Sequence, residues 1–221
     1  MHFLGKEILL AIFDFDGTLL DSTSLWAKID QRFFAKRGQT VPPHYGEEAV
    51  HLGLEKAAQW TKEAFFPNEE AKDILAEWRS MALEAYQNEL ILKPCAEKVL
   101  SSFKNKGVKL ALATANSKEL YEPCVDRLKI GSFFDFIVDV SSVKEGKKSS
   151  RIYDLTAEHF GVKKENVVIF EDALEPMMTS YKAGYLTVGV YDPNTTKDLT
   201  AAKENCDLFL EDFASLLKKI S

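Results

Sequence analysis

Long apolar runs without alternating polar residues recur along the chain. Runs of this kind are typical of the central strands of a parallel sheet, because both faces of such a strand are buried. The first run covers residues 8–13 and leads directly into an aspartate, and a shorter candidate edge strand covers residues 207–210. Four further runs lie between them, at residues 108–113, 136–140, 167–170 and 186–190.

Stretches with helical periodicity separate the later apolar runs. Strands that alternate with helices predict right-handed crossovers and an α/β fold, here a doubly wound, Rossmann-like parallel sheet. The predicted helices cover residues 94–106, 117–128, 150–160, 173–183 and 211–220.

A long segment between the first and second apolar runs has helical periodicity and no strand-like run. Leu25, Ile29 and Phe33 share one helical face within it, and Asp21 or Ser22 is a candidate cap for that helix. An inserted helical segment of this size is best interpreted as a cap domain hinged over the sheet. The predicted cap core contains Trp26, Trp60, Phe65, Phe66 and Trp78. The predicted domains are an α/β core over residues 1–20 and 91–221 and an α-helical cap domain over residues 21–90.

Composition narrows the classes of partner. The chain has 221 residues, with 28 basic and 34 acidic side chains and therefore a net charge of −6, which argues against a nucleic-acid or anionic-membrane partner. Three dispersed cysteines, Cys95, Cys124 and Cys206, indicate neither a disulfide framework nor a zinc site, and they favour a cytoplasmic location. No apolar run is long enough to span a membrane. A chain of this size is expected to act as a monomer or weak dimer.

Two aspartates follow the first apolar run, in the sequence Asp14-Phe15-Asp16-Gly17-Thr18. In an open α/β sheet the ligand crevice lies at the carboxyl ends of the strands, so both carboxylates are expected to face it. A turn whose aspartates only accept backbone hydrogen bonds is the structural alternative. That alternative leaves two charges beside a very apolar strand unexplained, so a catalytic or binding role is favoured.

Polar groups also follow the later strands. Thr114-Ala115-Asn116 ends the second apolar run, Gly146-Lys147-Lys148 precedes a predicted helix, and Glu171-Asp172 ends the fourth run. Taken singly, these are compatible with a helix cap, a solvated lysine pair and a turn. Several carboxylates brought together would repel one another without a cation, and oxygen ligands of this kind favour Mg²⁺.

Taken in order, these four motifs resemble those of the haloacid dehalogenase-like hydrolase superfamily, in particular its β-phosphoglucomutase-like phosphatases with a helical cap. The resemblance covers residues 8–190, is weak over the cap, and departs from the family at Lys148 and Ser150, where prolines are usual. It implies that Asp14 is a nucleophile that forms an aspartyl-phosphate and that Asp16 is the general acid and base. The implied phosphate-binding residues are Thr114, Ala115, Asn116 and Lys147. The implied Mg²⁺ ligands are Asp14, Asp16 (through its backbone carbonyl), Glu171 and Asp172.

The resemblance predicts a magnesium-dependent phosphatase that hydrolyses a small phosphorylated metabolite, for example a sugar phosphate. One alternative is a β-phosphoglucomutase-like sugar phosphomutase, although Trp26 stands where such mutases carry a histidine. A phosphonatase would need a Schiff-base lysine in the cap, for which Lys28 and Lys56 are candidates. The alternative from another class is a non-catalytic binding or regulatory protein on the same fold.

Overall fold

The computed structural model describes residues 1–143 and 146–220, apart from the side chains of Val50 and His51. The chain divides into two compact units. The core unit comprises Met1–Thr23 and Leu90–Ser221, and the helical unit comprises Ser24–Glu89. The helical unit is thus slightly shorter than the predicted insertion, because residues 21–23 and Leu90 group with the core unit.

A parallel sheet forms the centre of the core unit. The strands of the described residues are β1 (His2–Phe3), β2 (Lys6–Glu7), β3 (Leu10–Phe13), β4 (Lys109–Thr114), β5 (Phe136–Asp139), β6 (Val167–Glu171), β7 (Leu186–Val190) and β8 (Leu208–Leu210). Six of them form one sheet in the order β5-β4-β3-β6-β7-β8, and all of its described pairings are parallel. Every apolar run predicted to be a strand is one, which confirms the predicted doubly wound α/β class.

The order of the strands reverses at β3. The chain proceeds from β3 outward through β4 to β5 and then returns to the other side of β3 with β6. At the carboxyl end of the sheet, Phe13 is therefore in register with Leu112 on one side and Phe170 on the other. A crevice at such a switch point is the usual ligand site of an open α/β sheet.

Helices cover both faces of this sheet. Those of the core unit are α5 (Ala96–Asn105), α6 (Lys118–Arg127), α7 (Arg151–Phe160), α8 (Leu174–Lys182), α9 (Leu199–Glu204) and α10 (Phe213–Ile220). On one face, the ring of Phe103 from α5 meets Phe13 edge-on. On the other, Leu10 and Ile12 cluster with Tyr153 of α7. Burial on both faces explains why β3 has an uninterrupted apolar sequence.

One short hairpin and one short helix among the described elements of the core unit were not predicted. The strands β1 and β2 form an antiparallel hairpin of two residues each, and α9 has only six residues. Segments this short contain less than two periods of a hydrophobic pattern, so the sequence carries little periodic signal for them.

Four helices make up the described part of the helical unit: α1 (Leu25–Lys36), α2 (Tyr45–Leu52), α3 (Leu54–Phe65) and α4 (Ala71–Asn88). Its core is aromatic, with Phe33 packed edge-on against Phe66 and Trp78. Trp26 differs from the prediction, since it is 42% exposed and does not belong to this core. The helix α1 is preceded by Ser24, so it is capped neither by Asp21 nor by Ser22. Within the described part of the chain, none of the helices combines the length and the hydrophobicity that a membrane span requires.

Asp30 of α1 is a half-buried carboxylate for which the described residues provide no hydrogen-bond partner. Burial raises its pKa to about 6, above the ordinary value of 3.8. An acid with a raised pKa in the folded state stabilises that state at low pH and loses this contribution as the pH rises through the folded pKa. Substitution by asparagine, Asp30→Asn, should therefore increase the free energy of unfolding by about 1 kcal/mol near pH 8, a value reduced for partial exposure.

Urea unfolding of wild type and Asp30→Asn near pH 8 and again near pH 5 tests this expectation. The gain in stability should be smaller near pH 5, where part of the wild-type population already carries the proton. A gain that is the same at both pH values, or a loss near pH 8, would contradict it.

Candidate active site

The first predicted motif leaves the carboxyl end of β3 at the switch point. Asp14 continues the strand, with its backbone N–H donating to the carbonyl of Phe170 at 3.0 Å, and it is 6% exposed. The turn that follows requires Gly17, whose φ is +81°. A Cβ atom at Gly17 would lie 2.2 Å from Oδ2 of Asp172, so no larger residue fits beside that carboxylate.

Two side-chain donors, among the contacts that the structure describes, hold Asp16. The hydroxyl of Ser22 donates to Oδ1 at 2.7 Å, and the side-chain amide of Asn116 donates to Oδ2 at 2.6 Å. Asn116, predicted to bind phosphate, therefore contacts the predicted general acid. Ser22, a candidate helix cap in the sequence, is the second of these donors.

Thr114 ends β4 and is fully buried. Its hydroxyl oxygen accepts a hydrogen bond from the backbone N–H of Asn116 at 3.1 Å. Ala115 lies between them and is exposed. The second predicted motif is thus a tight turn at the strand end next to Asp16, and its role in phosphate binding stays a prediction.

Lys147 lies between two carboxylates. Its Nζ donates to Oδ1 of Asp14 and to Oε1 of Glu171, the latter at 2.7 Å, and its side chain is 9% exposed. Burial alone would lower the pKa of Lys147, but the charges of the two carboxylates and the hydrogen bonds to them raise it above its usual value, so the ammonium stays charged. Lys148, in contrast, is exposed, and the one acidic side chain that it approaches among the described residues is Glu175, at 3.9 Å. Lys147, the lysine that the resemblance implies, therefore lies at the carboxylates and Lys148 does not, while the role of Lys147 in phosphate binding stays a prediction.

Asp14, Glu171 and Asp172 form an acidic cluster at the ends of β3 and β6. All three are buried, and each offers a carboxylate oxygen within 4.8 Å of the others. Burial, and then the charge of Asp14, raises the pKa of Glu171 and of Asp172 well above the usual range. Three carboxylates face one lysine here, so the cluster carries uncompensated negative charge when it is ionised.

A divalent cation fits this donor set. Clustered carboxylate oxygens are the ligands that hard cations prefer, and a cation would offset the excess negative charge. The side chain of Asp16 does not belong to the cluster. Asp16 is predicted to bind the metal through its backbone carbonyl instead, and this role is not tested by the acidic cluster.

Four hydroxyl groups around the site were missed by sequence reasoning as partners of its carboxylates. They approach the carboxylates from three different parts of the core unit, so no local spacing marks them. The four residues are Thr18, Ser22, Tyr153 and Thr195.

Tyr153 is fully buried, and its hydroxyl donates to Oε1 of Glu171 at 2.7 Å. Substitution Tyr153→Phe should lower the free energy of unfolding by about 2 kcal/mol, because a buried carboxylate loses a donor. Tyr185→Phe is the matched control, since Tyr185 donates at 2.7 Å to Asp154, a less buried carboxylate that also pairs with Lys164.

Urea unfolding of both variants measures the loss in the free energy of unfolding, and enzyme assays measure the loss of activity. The Tyr185 variant should lose less stability and keep full activity, whereas the Tyr153 variant should lose activity as well. Equal losses of stability and activity in the two variants would show that the hydrogen bond to Glu171 contributes no more than the one to Asp154.

The motifs that form this site lie within a region of the chain that is similar in sequence to known proteins. Residues 11–190 match the family model for haloacid dehalogenase-like hydrolases. A phosphorylated carbohydrates phosphatase of Thermotoga maritima is 27% identical, over 95% of this chain and 98% of that protein. A phosphoglycolate phosphatase of Pseudomonas putida is also 27% identical, over 97% of this chain and 80% of that protein.

The fold has close counterparts among solved structures. A Thermotoga maritima protein provisionally assigned as a β-phosphoglucomutase superposes with a TM-score of 0.85, at 24% identity, over 97% of this chain and all of that one. The match of the family model spans most of the chain, including all four motifs around the acidic cluster. The chain therefore belongs to the haloacid dehalogenase-like hydrolases.

Proposed function

We propose that this protein is a magnesium-dependent phosphatase that hydrolyses a small phosphomonoester, such as a sugar phosphate, through a phosphorylated Asp14. The observation that carries the proposal is the contact between Asp14 and Lys147 beside Glu171 and Asp172 at the switch point of the sheet. Relatives over nearly the full length of the chain are named as phosphatases of phosphorylated carbohydrates and of phosphoglycolate. These names support a small phosphorylated metabolite as the substrate.

Charge is the main obstacle to this chemistry. A carboxylate about 4 Å from one phosphate charge is repelled by about 4 kcal/mol at an effective dielectric of about 20. Lys147 already contacts the Asp14 carboxylate and offsets part of this repulsion. The site thus has a fixed cation at the place where the nucleophile and the phosphate must meet.

The family uses a divalent metal, and we propose that it is Mg²⁺ here. Asp14, Glu171 and Asp172 would hold it, together with the backbone carbonyl of Asp16. When bound, the ion supplies positive charge that neutralises the phosphate oxygens. Oxygen ligands and the lack of a nearby histidine or cysteine in the described cluster favour magnesium over zinc.

Asp14 and Asp16 divide the chemistry between them. A carboxylate oxygen of Asp14 forms a bond to phosphorus as the bond from phosphorus to the leaving oxygen breaks, and Asp16 gives that oxygen its proton. A water molecule then attacks phosphorus while Asp16 takes up its proton, which releases phosphate and restores Asp14. The hydrogen bonds from Ser22 and Asn116 keep the Asp16 carboxyl group in one orientation through both steps.

Phosphate release from a panel of sugar phosphates, phosphoglycolate and nucleotides, with magnesium and with chelator, tests the proposal. We expect release that depends on magnesium and ranks the substrates. Isomerised sugar phosphate without free phosphate would indicate a mutase, and no turnover of any compound would favour a binding protein. The cap role of the helical unit, the cytoplasmic location and a state of monomer or weak dimer stay predictions from the sequence.

A further inference from the structure

The turn that follows β7, residues 191–196, lies against Asp172. The hydroxyl of Thr195 donates to Oδ2 of Asp172 at 2.6 Å. The hydroxyl of Thr18, from the turn after β3, donates to Oδ1 at 3.1 Å. Each oxygen of this buried carboxylate therefore accepts one hydroxyl, and the two hydroxyls come from segments far apart in the sequence.

Such an arrangement restrains Asp172 without blocking it. An ionised carboxylate has about four acceptor positions, two on each oxygen. Two hydroxyl donors leave one position on each oxygen, so either oxygen can still bind a cation. Hydrogen bonds to an ionised acceptor are about twice as strong as neutral ones, so the short contact from Thr195 resists rotation of the carboxylate.

The position of Thr195 depends on Asp192, around which the turn is built. Oδ1 of Asp192 accepts the backbone N–H of Asn194 at 2.9 Å and the hydroxyl of Thr23 at 2.8 Å. Thr196 closes the turn in both directions, since its N–H donates to the carbonyl of Asp192 at 2.9 Å and its hydroxyl accepts the N–H of Asp192 at 3.2 Å. Side-chain bonds of this kind fix a turn in one conformation.

Lys93 connects the turn to the rest of the core unit through an ion pair and a hydrogen bond. Its Nζ pairs with Oδ2 of Asp192 at 3.0 Å and donates to the carbonyl of Tyr191 at 3.0 Å. The Asp192 side chain is only 2% exposed and that of Lys93 14%. A buried ion pair adds little net stability compared with apolar packing, so the pair is better explained by the geometry that it imposes.

We propose that Thr195 is a positioning residue of the active site, whose hydroxyl holds the Asp172 carboxylate in the orientation that binds the divalent cation. The inference rests on the proposed function, because it concerns the metal site of that reaction. Mutation of a residue that hydrogen-bonds a metal ligand typically lowers the metal affinity by about 10-fold to 100-fold.

Isothermal titration calorimetry with Mg²⁺ on purified variants tests the inference without using activity. Thr195→Val removes the hydroxyl at nearly constant volume and should weaken binding by about 10-fold, and Thr195→Ala should do the same. Thr195→Ser keeps the hydroxyl and should restore the wild-type affinity. In assays, the Val variant should need about 10-fold more magnesium for half-maximal rate, with the maximal rate little changed.

Thr179→Val is the matched control, because the hydroxyl of Thr179 bonds only to the carbonyl of Glu175 in its own helix, at 2.9 Å, among the described contacts. It should bind magnesium as the wild type does. Wild-type affinity in the Val and Ala variants would overturn the inference and leave the proposed function intact. A wild-type protein that binds no divalent cation would overturn both.

Discussion

Substitution of Asp14 by asparagine is expected to lower the rate of phosphate release by about 10⁴-fold or more. An amide oxygen is a poor nucleophile, and Asp14 is the carboxylate that Lys147 contacts at the end of β3. Phosphate release measured at saturating substrate and magnesium gives the loss directly. Wild-type enzyme quenched in acid during turnover should also carry one phosphoryl group on the peptide that contains Asp14, and the variant should carry none.

Stability should respond to this substitution quite differently. Asp14→Asn removes one of three buried carboxylates and keeps an oxygen that can accept from Lys147, so the free energy of unfolding should fall by less than about 1 kcal/mol or rise. Asp21→Asn, at an exposed position of the same segment, is the matched control and should retain full activity. If the Asp14 variant kept activity within about 10-fold of wild type, Asp14 would not be the nucleophile.

Replacement of Lys147 by methionine is expected to abolish activity and also to destabilise the protein. It leaves three buried carboxylates without the cation that pairs with two of them. Removal of one partner from a buried ion pair should lower the free energy of unfolding by about 3 kcal/mol near pH 8 in chelator. Burial already raises the pKa of Glu171 and Asp172, so both can take up protons and the loss should be smaller near pH 6.

Lys148→Met is the matched control for this effect. The Lys148 side chain is 77% exposed, so its loss should change the free energy of unfolding by less than about 0.5 kcal/mol. Magnesium should restore part of the stability of the Lys147 variant, because it supplies positive charge to the acidic cluster, but it should not restore activity. Urea unfolding with and without magnesium measures both effects. Equal stability of the two variants would show that Lys147 does not balance the acidic cluster.

The class of the fold could be predicted from the pattern of apolar residues. Strands buried on both faces of a parallel sheet are apolar at nearly every position, so β3, β4, β6 and β7 stand out without any knowledge of their partners. The motifs that follow these strands could then be placed at one edge of the sheet, because parallel strands in one sheet have their carboxyl ends at the same edge. Asp14 and Asp172 could therefore be placed at one crevice although they are far apart in the sequence.

Local pattern was weaker where an element is short or a side chain stands alone. The hairpin of β1 and β2 and the helix α9 lack enough residues to show a period. Trp26 was predicted in the core of the helical unit because it is large and apolar, yet its place on α1 leaves it 42% exposed. Residue type alone does not say which face of a helix is covered.

Tertiary structure alone decided which polar groups hold the carboxylates. Lys147 and Lys148 are identical in type and adjacent, and only the course of the backbone before α7 directs the first toward Glu171 and the second outward. Thr195 meets Asp172 because the turn after β7 is tied down by Asp192 and Lys93. A hydrogen bond acts over about 3 Å, and such a distance between remote segments is set by the packing of the whole unit.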